Sequence, residues 1–263
     1  MSVAATKNLS LLHLDGVSIQ FGGLKVIENL NLQVNRGELL GLIGPNGAGK
    51  TTAFNLISGV YKPTRGEIFF EDDCISDIAT NKIAKRGVIR TFQNIRLFKE
   101  LNVLTNIMVA MHAHREYGLG GALIKSKSFL RSEEESREEA VQLLRIFDLE
   151  RFAEDEAGGL PYGVQRKLEI VRALASHPKL LLLDEPAAGM NHSETHELMN
   201  LIQRIRKEYQ LTVLLIEHDM KLVMGICERI VVLDHGVVIA EGNAAAIQSN
   251  PKVIEAYLGV ETT

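Results

Sequence analysis

Gly44-Pro45-Asn46-Gly47-Ala48-Gly49-Lys50-Thr51-Thr52 fits the pattern G-x-x-x-x-G-K-[S/T] at every fixed position. Ahead of it Leu39-Leu40-Gly41-Leu42-Ile43 is a short apolar run that reads as a buried strand. Behind it Ala53-Phe54-Asn55-Leu56-Ile57 reads as helix. In the order strand, glycine-rich loop, helix, the backbone N–H groups of the loop curl around a polyphosphate and the helix dipole adds its attraction. Lys50 would reach the β- and γ-phosphates and Thr51 would offer its hydroxyl to Mg²⁺. The bland alternative is a glycine-rich turn followed by a chance Lys-Thr, and the flanking strand and helix count against it.

With 263 residues, 46% of them hydrophobic, 24% charged and 5% aromatic, the chain matches a soluble α/β protein able to bury a sizeable core. No stretch approaches the ~18 apolar residues of a membrane span, so a membrane role would come through a partner. Met1 to Leu9 has no apolar core, and no secretory signal is expected. The net charge of −4 does not suggest general nucleic-acid binding. Cys74 and Cys227 lie far apart without metal-ligand spacing, which fits ordinary thiols in a reducing, cytoplasmic setting.

Residues 11 to 34 read as β-rich, broken at Phe21-Gly22-Gly23. Lys62-Pro63-Thr64-Arg65-Gly66 is turn chemistry and Glu67-Ile68-Phe69-Phe70 a short strand. From about 82 to 175 the character is helical. Within it Ser132-Glu133-Glu134-Glu135 reads as a capping box opening a helix whose face carries Val141, Leu144 and Phe147. Residues 112 to 131, with Gly118-Leu119-Gly120-Gly121, read as a surface loop or broken helix. Leu180 to Leu183 and Thr212 to Ile216 are buried strands, Ser193 to Tyr209 a helix, and 230 to 240 a hairpin turning at Asp234-His235-Gly236. Asn250-Pro251 caps and starts a last short helix. The sum is an α/β fold: a mostly parallel sheet with helices on both faces, an N-terminal antiparallel β portion, and room for an inserted helical subdomain.

Other residues carry candidate chemistry. Asp184-Glu185 ends the leucine strand, where Asp184 can hold Mg²⁺ through water and Glu185 can orient and deprotonate an attacking water. Gln93 can ligate Mg²⁺ or position water where strand character gives way to helix; read alone it is a surface glutamine. His218, after the strand 212–216, can donate to a γ-phosphate, although a lone histidine is usually a satisfied surface or core residue. Phe21 fits an adenine-stacking face and a core position at a strand end equally well. Leu160-Pro161-Tyr162-Gly163-Val164-Gln165 opens a helix faced by Leu168, Val171 and Leu174, and Gly163 near its start offers a second anion-binding edge or simply an ordinary helix start.

In this order the pieces resemble the ATP-binding subunits of ABC transporters. Gly44–Thr51 matches the Walker A loop, Gln93 the Q-loop, Leu160–Gln165 the signature, Leu180–Glu185 Walker B, His218 the switch histidine and Phe21 the aromatic A-loop position. Phe21-Gly22-Gly23-Leu24, Arg90-Thr91-Phe92-Gln93, Asp184-Glu185-Pro186-Ala187-Ala188-Gly189-Met190-Asn191, Ile216-Glu217-His218-Asp219-Met220-Lys221 and the ending Pro251-Lys252-Val253-Ile254-Glu255-Ala256-Tyr257-Leu258-Gly259 are similar to the LivG-type ATPases of branched-chain amino acid importers. The resemblance implies a P-loop NTPase core of the ABC ATPase kind, with residues 9–91 and 176–245 as nucleotide-binding core, 92–175 as inserted helical subdomain and 246–263 as C-terminal helix. It implies ATP and Mg²⁺ as ligands: Phe21, Gly44, Pro45, Asn46, Gly47, Ala48, Gly49, Lys50, Thr51, Thr52, Gln93, Asp184 and His218 toward the nucleotide, Thr51, Gln93 and Asp184 toward the metal, and Glu185, His218 and Gln93 in catalysis. Pro161, Tyr162 and Gly163 would act on the nucleotide of an opposing subunit. The implied partners are a second, LivF-like ATPase or a second copy of the chain, two membrane permease subunits and an extracytoplasmic amino acid binding protein, with the chain peripheral on the cytoplasmic face of the inner membrane.

Two departures stand out. The signature, usually Leu-Ser-Gly-Gly-Gln, carries Pro161 where the serine hydroxyl would touch the opposing phosphate, which implies a weakened site and an asymmetric pair. Asn191 stands where an aspartate is usual and removes a charge from the expected dimer interface. Competing readings are an ATPase of another transporter, such as lipopolysaccharide export, a soluble ABC ATPase of DNA repair or translation, and a binding module with a dead ATP site. A single cassette of net charge −4 argues against the second, and the presence of Lys50, Glu185 and His218 argues against the third.

Overall fold

The structure is a computed structural model that describes residues 10–112 and 127–258. The chain divides into two compact units. One runs to Arg90 and resumes at Lys179, and the other is Thr91–Pro178.

In the first unit, β1 (Ser10–Phe21) and β2 (Leu24–Asn35) form an antiparallel hairpin with Gly22 in the left-handed region at its turn. With β4 (Arg65–Phe70) and β5 (Asp73–Cys74) they make a four-stranded sheet in the order β2-β1-β4-β5. The second sheet holds six strands in the order β10-β9-β3-β8-β7-β6: β3 (Leu39–Ile43), β6 (Val88–Arg90), β7 (Leu180–Asp184), β8 (Thr212–Ile216), β9 (Arg229–Asp234) and β10 (Val237–Gly242). All its pairs are parallel except β9 with β10, which turn through His235-Gly236, both at positive φ.

The strands β3, β7 and β8 are buried at every position, which is why they read as continuous apolar runs. Alternate residues face opposite sides. Leu40, Leu42, Leu180, Leu182, Leu214 and Ile216 join one core with α1 (Lys50–Ile57) and the inward face of the antiparallel sheet. Gly41 faces the other side, where a Cβ would meet Cys227 and Val223 at the end of α7 (Met220–Ile226). Helix α2 (Thr80–Lys85) lies between β5 and β6, and α6 (His192–Tyr209) between β7 and β8. Two short helices, α8 (Ala244–Gln248) and α9 (Pro251–Leu258), end the unit; Asn250 caps α9 through Lys252 N–H, with Pro251 in its first position.

The second unit is helical: α3 (Val103–His112), α4 (Lys127–Ile146) and α5 (Tyr162–Leu174), with α3 packed on both of the others. Val103, Leu104, Ile107, Leu143, Leu144, Phe147 and Leu168 are buried.

Two expectations need correction. Ser132 does not open a helix, because α4 already runs from Lys127. No glycine or proline stands between them, so nothing stops the helix from extending past the capping pattern. Helix also does not set in near 82 and continue: β6 intervenes, and Thr91–Asn102 carries no regular element before α3. Most of the stretch read as a surface loop, 113–126, lies outside the described residues.

Candidate functional site

The parallel strands β3, β8 and β7 are neighbours, so the segments leaving their C-terminal ends collect at one sheet edge. The first is the loop Gly44–Gly49. Gly44, Gly47 and Gly49 all take positive φ, 150°, 82° and 100°. A Cβ at Gly44 would run into the Leu233 carbonyl oxygen, whereas one at Gly47 would meet nothing within 4 Å. The loop is thus packed against β9 at its root and open at its crown. Ala48 N–H donates to Pro45 O and Gly236 N–H to Ala48 O, which fixes the arch. Gly49 is the N-cap of α1 and no side chain caps that helix, so its first N–H groups face the loop. Pro45 is half-buried, Asn46 and Gly47 are exposed, and Thr51 and Thr52 follow Lys50 in the first turn of α1, with Thr51 exposed. Lys50 is buried, and its Nζ donates to Gly44 O at 2.6 Å and Pro45 O at 2.8 Å, spanning the mouth of the arch. Burial lowers the Lys50 pKa, while the Glu185 and Asp184 carboxylates pull it back up.

Asp184 ends β7, buried, with Oδ2 held by Arg90 Nη2 at 2.7 Å. Arg90 closes β6, the adjacent strand. Its Nη1 donates to Asn55 Oδ1 at 2.7 Å, and its guanidinium lies 5.4 Å from the centre of the Phe54 ring. One arginine therefore ties the carboxylate to α1, the helix that carries Lys50 and Thr51. Glu185 follows at φ 46°, and its N–H donates to Ile216 O of β8. His218 is exposed, with Nδ1 3.6 Å from Glu185 Oε2. Between them Glu217 is fully buried: Oε1 accepts from Ala187 N–H at 2.7 Å and Oε2 from His218 N–H at 3.0 Å. Burial raises the Glu217 pKa, opposed by these backbone donors. Glu217 thus clamps the segment after Glu185 to the segment bearing His218. Phe21 is 44% exposed, so it is not a core residue, and it meets Tyr61 edge-on at 5.1 Å.

The second unit holds the remaining candidates. Gln93 is exposed in the irregular stretch 91–102 rather than at a helix start. Pro161 is the N-cap of α5, Tyr162 its first residue and Gly163 its second, with no side-chain cap on that end. Gln165 Nε2 donates back to Leu160 O at 2.8 Å. Arg166, fully buried, donates to Phe92 O at 2.7 Å, Gln93 O at 2.6 Å, Glu169 Oε2 at 2.7 Å and Tyr162 Oη at 3.1 Å. In the first unit Asn191 caps α6: its Oδ1 accepts from Ser193 and Glu194 N–H, and Glu194 answers its N–H.

The first unit thus brings together Gly44–Thr52, Asp184, Glu185 and His218. Arg90, Glu217, Asn55 and Arg166 carry weight that their residue types did not announce. A signal existed for two of them. Glu217 is a carboxylate directly after the apolar run Val213–Ile216, and Arg90 directly follows the β-branched pair Val88-Ile89.

The open arch, the uncapped helix start and the lysine across its mouth fit a polyphosphate. Among the described residues no cluster of three His, Cys, Asp or Glu stands ready for a metal. Mg²⁺ bound to a nucleotide does not need one, since it takes one or two protein oxygens beside phosphate oxygens and waters, and the Thr51 hydroxyl and the Asp184 carboxylate are oxygens of that kind.

The ABC transporter family model matches residues 27–188, and the model described as branched-chain amino acid ATP-binding cassette transporter matches 237–262. The high-affinity branched-chain amino acid transport ATP-binding protein BraF of Pseudomonas aeruginosa is 47% identical over 95% of this chain and 98% of its own. LivG of Escherichia coli, of the same description, is equally similar over the same shares. Among solved structures, the ADP conformation of an ATP-binding cassette of an ABC transporter superposes with a TM-score of 0.83 at 32% identity, covering 95% of this chain and 99% of that one. The dimeric structure of a bacterial ABC transporter cassette gives 0.74 at 28% identity, covering 89% and 98%. With fold, loop geometry and family model in agreement, the chain belongs to the ABC transporter family, among its branched-chain amino acid transport ATP-binding proteins.

Proposed function

We propose that this chain is the ATP-binding and hydrolysing subunit of an ABC importer and couples that hydrolysis to uptake of branched-chain amino acids. The observation that carries the reading is the meeting of the Gly44–Thr52 arch with Asp184, Glu185 and His218 at one sheet edge. The near full-length likeness to BraF and LivG points to the transported class.

The N–H groups of the arch and Lys50 Nζ bind the β- and γ-phosphates, the ammonium exchanging its loop carbonyls for phosphate oxygens. Thr51 Oγ1, Asp184 and Gln93 would hold Mg²⁺, partly through water, and Mg²⁺ supplies charge neutralisation at the phosphates. Glu185 takes the proton from the attacking water. His218, beside it, donates to the γ-phosphate and holds it in line. Phe21 stacks on adenine. Residues 9–91 and 176–245 serve as the nucleotide core and 92–175 as the inserted subdomain; the stretch from 246, expected as a single C-terminal helix, is among the described residues the end of α8 followed by α9. Pro161, Tyr162 and Gly163 present the start of α5 to the nucleotide of a second cassette, LivF-like or another copy. Two permease subunits and an extracytoplasmic binding protein complete the importer, and this chain sits peripherally on the cytoplasmic face. Among the described residues no helix is long and apolar enough to cross a membrane.

The test is purification of the tagged chain from detergent-solubilised membranes, with co-purifying chains identified by mass. Two multi-span proteins and a second ATPase are expected. Recovery of soluble factors or nucleic acid alone would overturn the importer reading in favour of a non-transport ATPase.

A further inference from the structure

Among the described residues Arg166 heads the large fully buried side chains, and it lies one turn into α5. Burying a guanidinium is costly unless its charge and donors are met. Glu169 meets the charge. The two terminal nitrogens also donate to the Phe92 and Gln93 carbonyl oxygens and the Tyr162 hydroxyl, which leaves only Nε without a partner among the described residues. Glu169 spends its second oxygen on Arg96 N–H at 3.1 Å. Two side chains on one face of α5 thereby hold three backbone points of an irregular stretch, at residues 92, 93 and 96. Apolar residues would fill the same space without fixing the backbone, because they offer no partner to a carbonyl. The Gln93 backbone is pinned while its side chain stays exposed.

We infer that Arg166 is a positioning residue for Gln93: it sets the place of the glutamine backbone from the helix that begins at Tyr162, so that the signature end of α5 and the Q-loop share one rigid joint within the second unit. The inference rests on the roles proposed above for Gln93 and for the α5 start. A fork of two parallel donors to consecutive carbonyls is geometry that an ammonium does not reproduce.

The test uses the full-length chain, purified with whatever subunits it carries. Arg166→Lys keeps the charge beside Glu169 and removes the fork. Expected are a roughly 10- to 100-fold loss in kcat for ATP hydrolysis with KM nearly unchanged, the scale of a misplaced catalytic group. Backbone hydrogen exchange at 92–98 should quicken while that of 168–174 stays protected. In a Gln93→Ala background Arg166→Lys should add no further loss, because the two act as one unit. Losses that multiply, or unchanged exchange at 92–98, overturn the inference and leave the Gln93 role standing. A Gln93→Ala chain, with Arg166 intact, that hydrolyses ATP normally overturns both. Should Arg166→Lys not fold, the neutral pair Arg166→Gln with Glu169→Gln replaces it in the same comparisons and is judged by the same outcomes.

Discussion

Glu185 holds a left-handed backbone, φ 46°, that a glutamate adopts at a cost of about 1–3 kcal/mol. Its N–H is anchored on Ile216 O, and the next turn is fixed by Glu217 through Ala187 N–H, so the neighbouring strand enforces the strain. The effect is to turn the carboxylate out of the β7 line to within 3.6 Å of His218 Nδ1. If Glu185 is the base, Glu185→Gln keeps ATP binding and lowers turnover by roughly 10²–10⁴-fold. Lys50→Ala acts at the other step and weakens nucleotide affinity itself. Fluorescent-nucleotide titration beside a phosphate-release assay separates the two; near-normal turnover in the first variant, or unchanged affinity in the second, removes the residue from its role. Asp184 shows why chemistry could be read in the sequence without its support. A carboxylate ending an apolar strand after a phosphate loop is a visible pattern, but the arginine that orients it lies 94 positions away and meets it only once β6 pairs with β7.

Helix α7 crosses one face of the parallel sheet and brings Cys227 against Gly41, on the strand that feeds the phosphate loop. Burial pushes the Cys227 thiol up to about 12, so at neutral pH it is an unreactive thiol under α7, whereas Cys74 is exposed. Iodoacetamide at pH 7.5 should label Cys74 promptly and Cys227 only at the rate at which α7 leaves the sheet, read by peptide mass in native and urea-treated chain. Prompt native labelling of Cys227 would contradict this packing. At this scale the sequence was legible wherever one rule dominated. Buried strands such as Leu180–Leu183 announce themselves because both faces are covered, and the 230–240 hairpin because His235-Gly236 supplies two positive φ values. β6 was hidden because three residues carry no period. The stretch 91–102 departs from the helical character expected over 82–175 because its backbone is held by Arg166, Glu169 and Asn106 from elsewhere in the chain. The Ser132 pattern failed for the opposite reason: a good cap does not start a helix when the residues before it are also good helix formers.

For the whole molecule the departures in the signature and at Asn191 read differently once placed. Asn191 does a local job as the cap of α6, a task asparagine performs as well as aspartate, and that accounts for its tolerance there whatever it faces in an assembly. Pro161 occupies the N-cap position of α5 but provides no capping side chain, and it has no hydroxyl to offer a phosphate. Pro161→Ser should raise the ATPase rate of the assembled complex, measured at saturating ATP in detergent or liposomes; no change would argue that the α5 start already suffices without the hydroxyl. The two-unit division has one more consequence. The chain leaves the first unit at Arg90 and re-enters at Lys179, and the two points flank a paired strand edge, with Val88 opposite Leu180 and Lys179 N–H on Gly87 O. Exit and return are therefore separated by little more than the length of β6, about 10 Å at the usual rise per residue. A segment whose ends are moored so close can be exchanged for that of another cassette, or bridged by a short linker, without unthreading a strand, which makes this family a natural substrate for chimera building by module exchange.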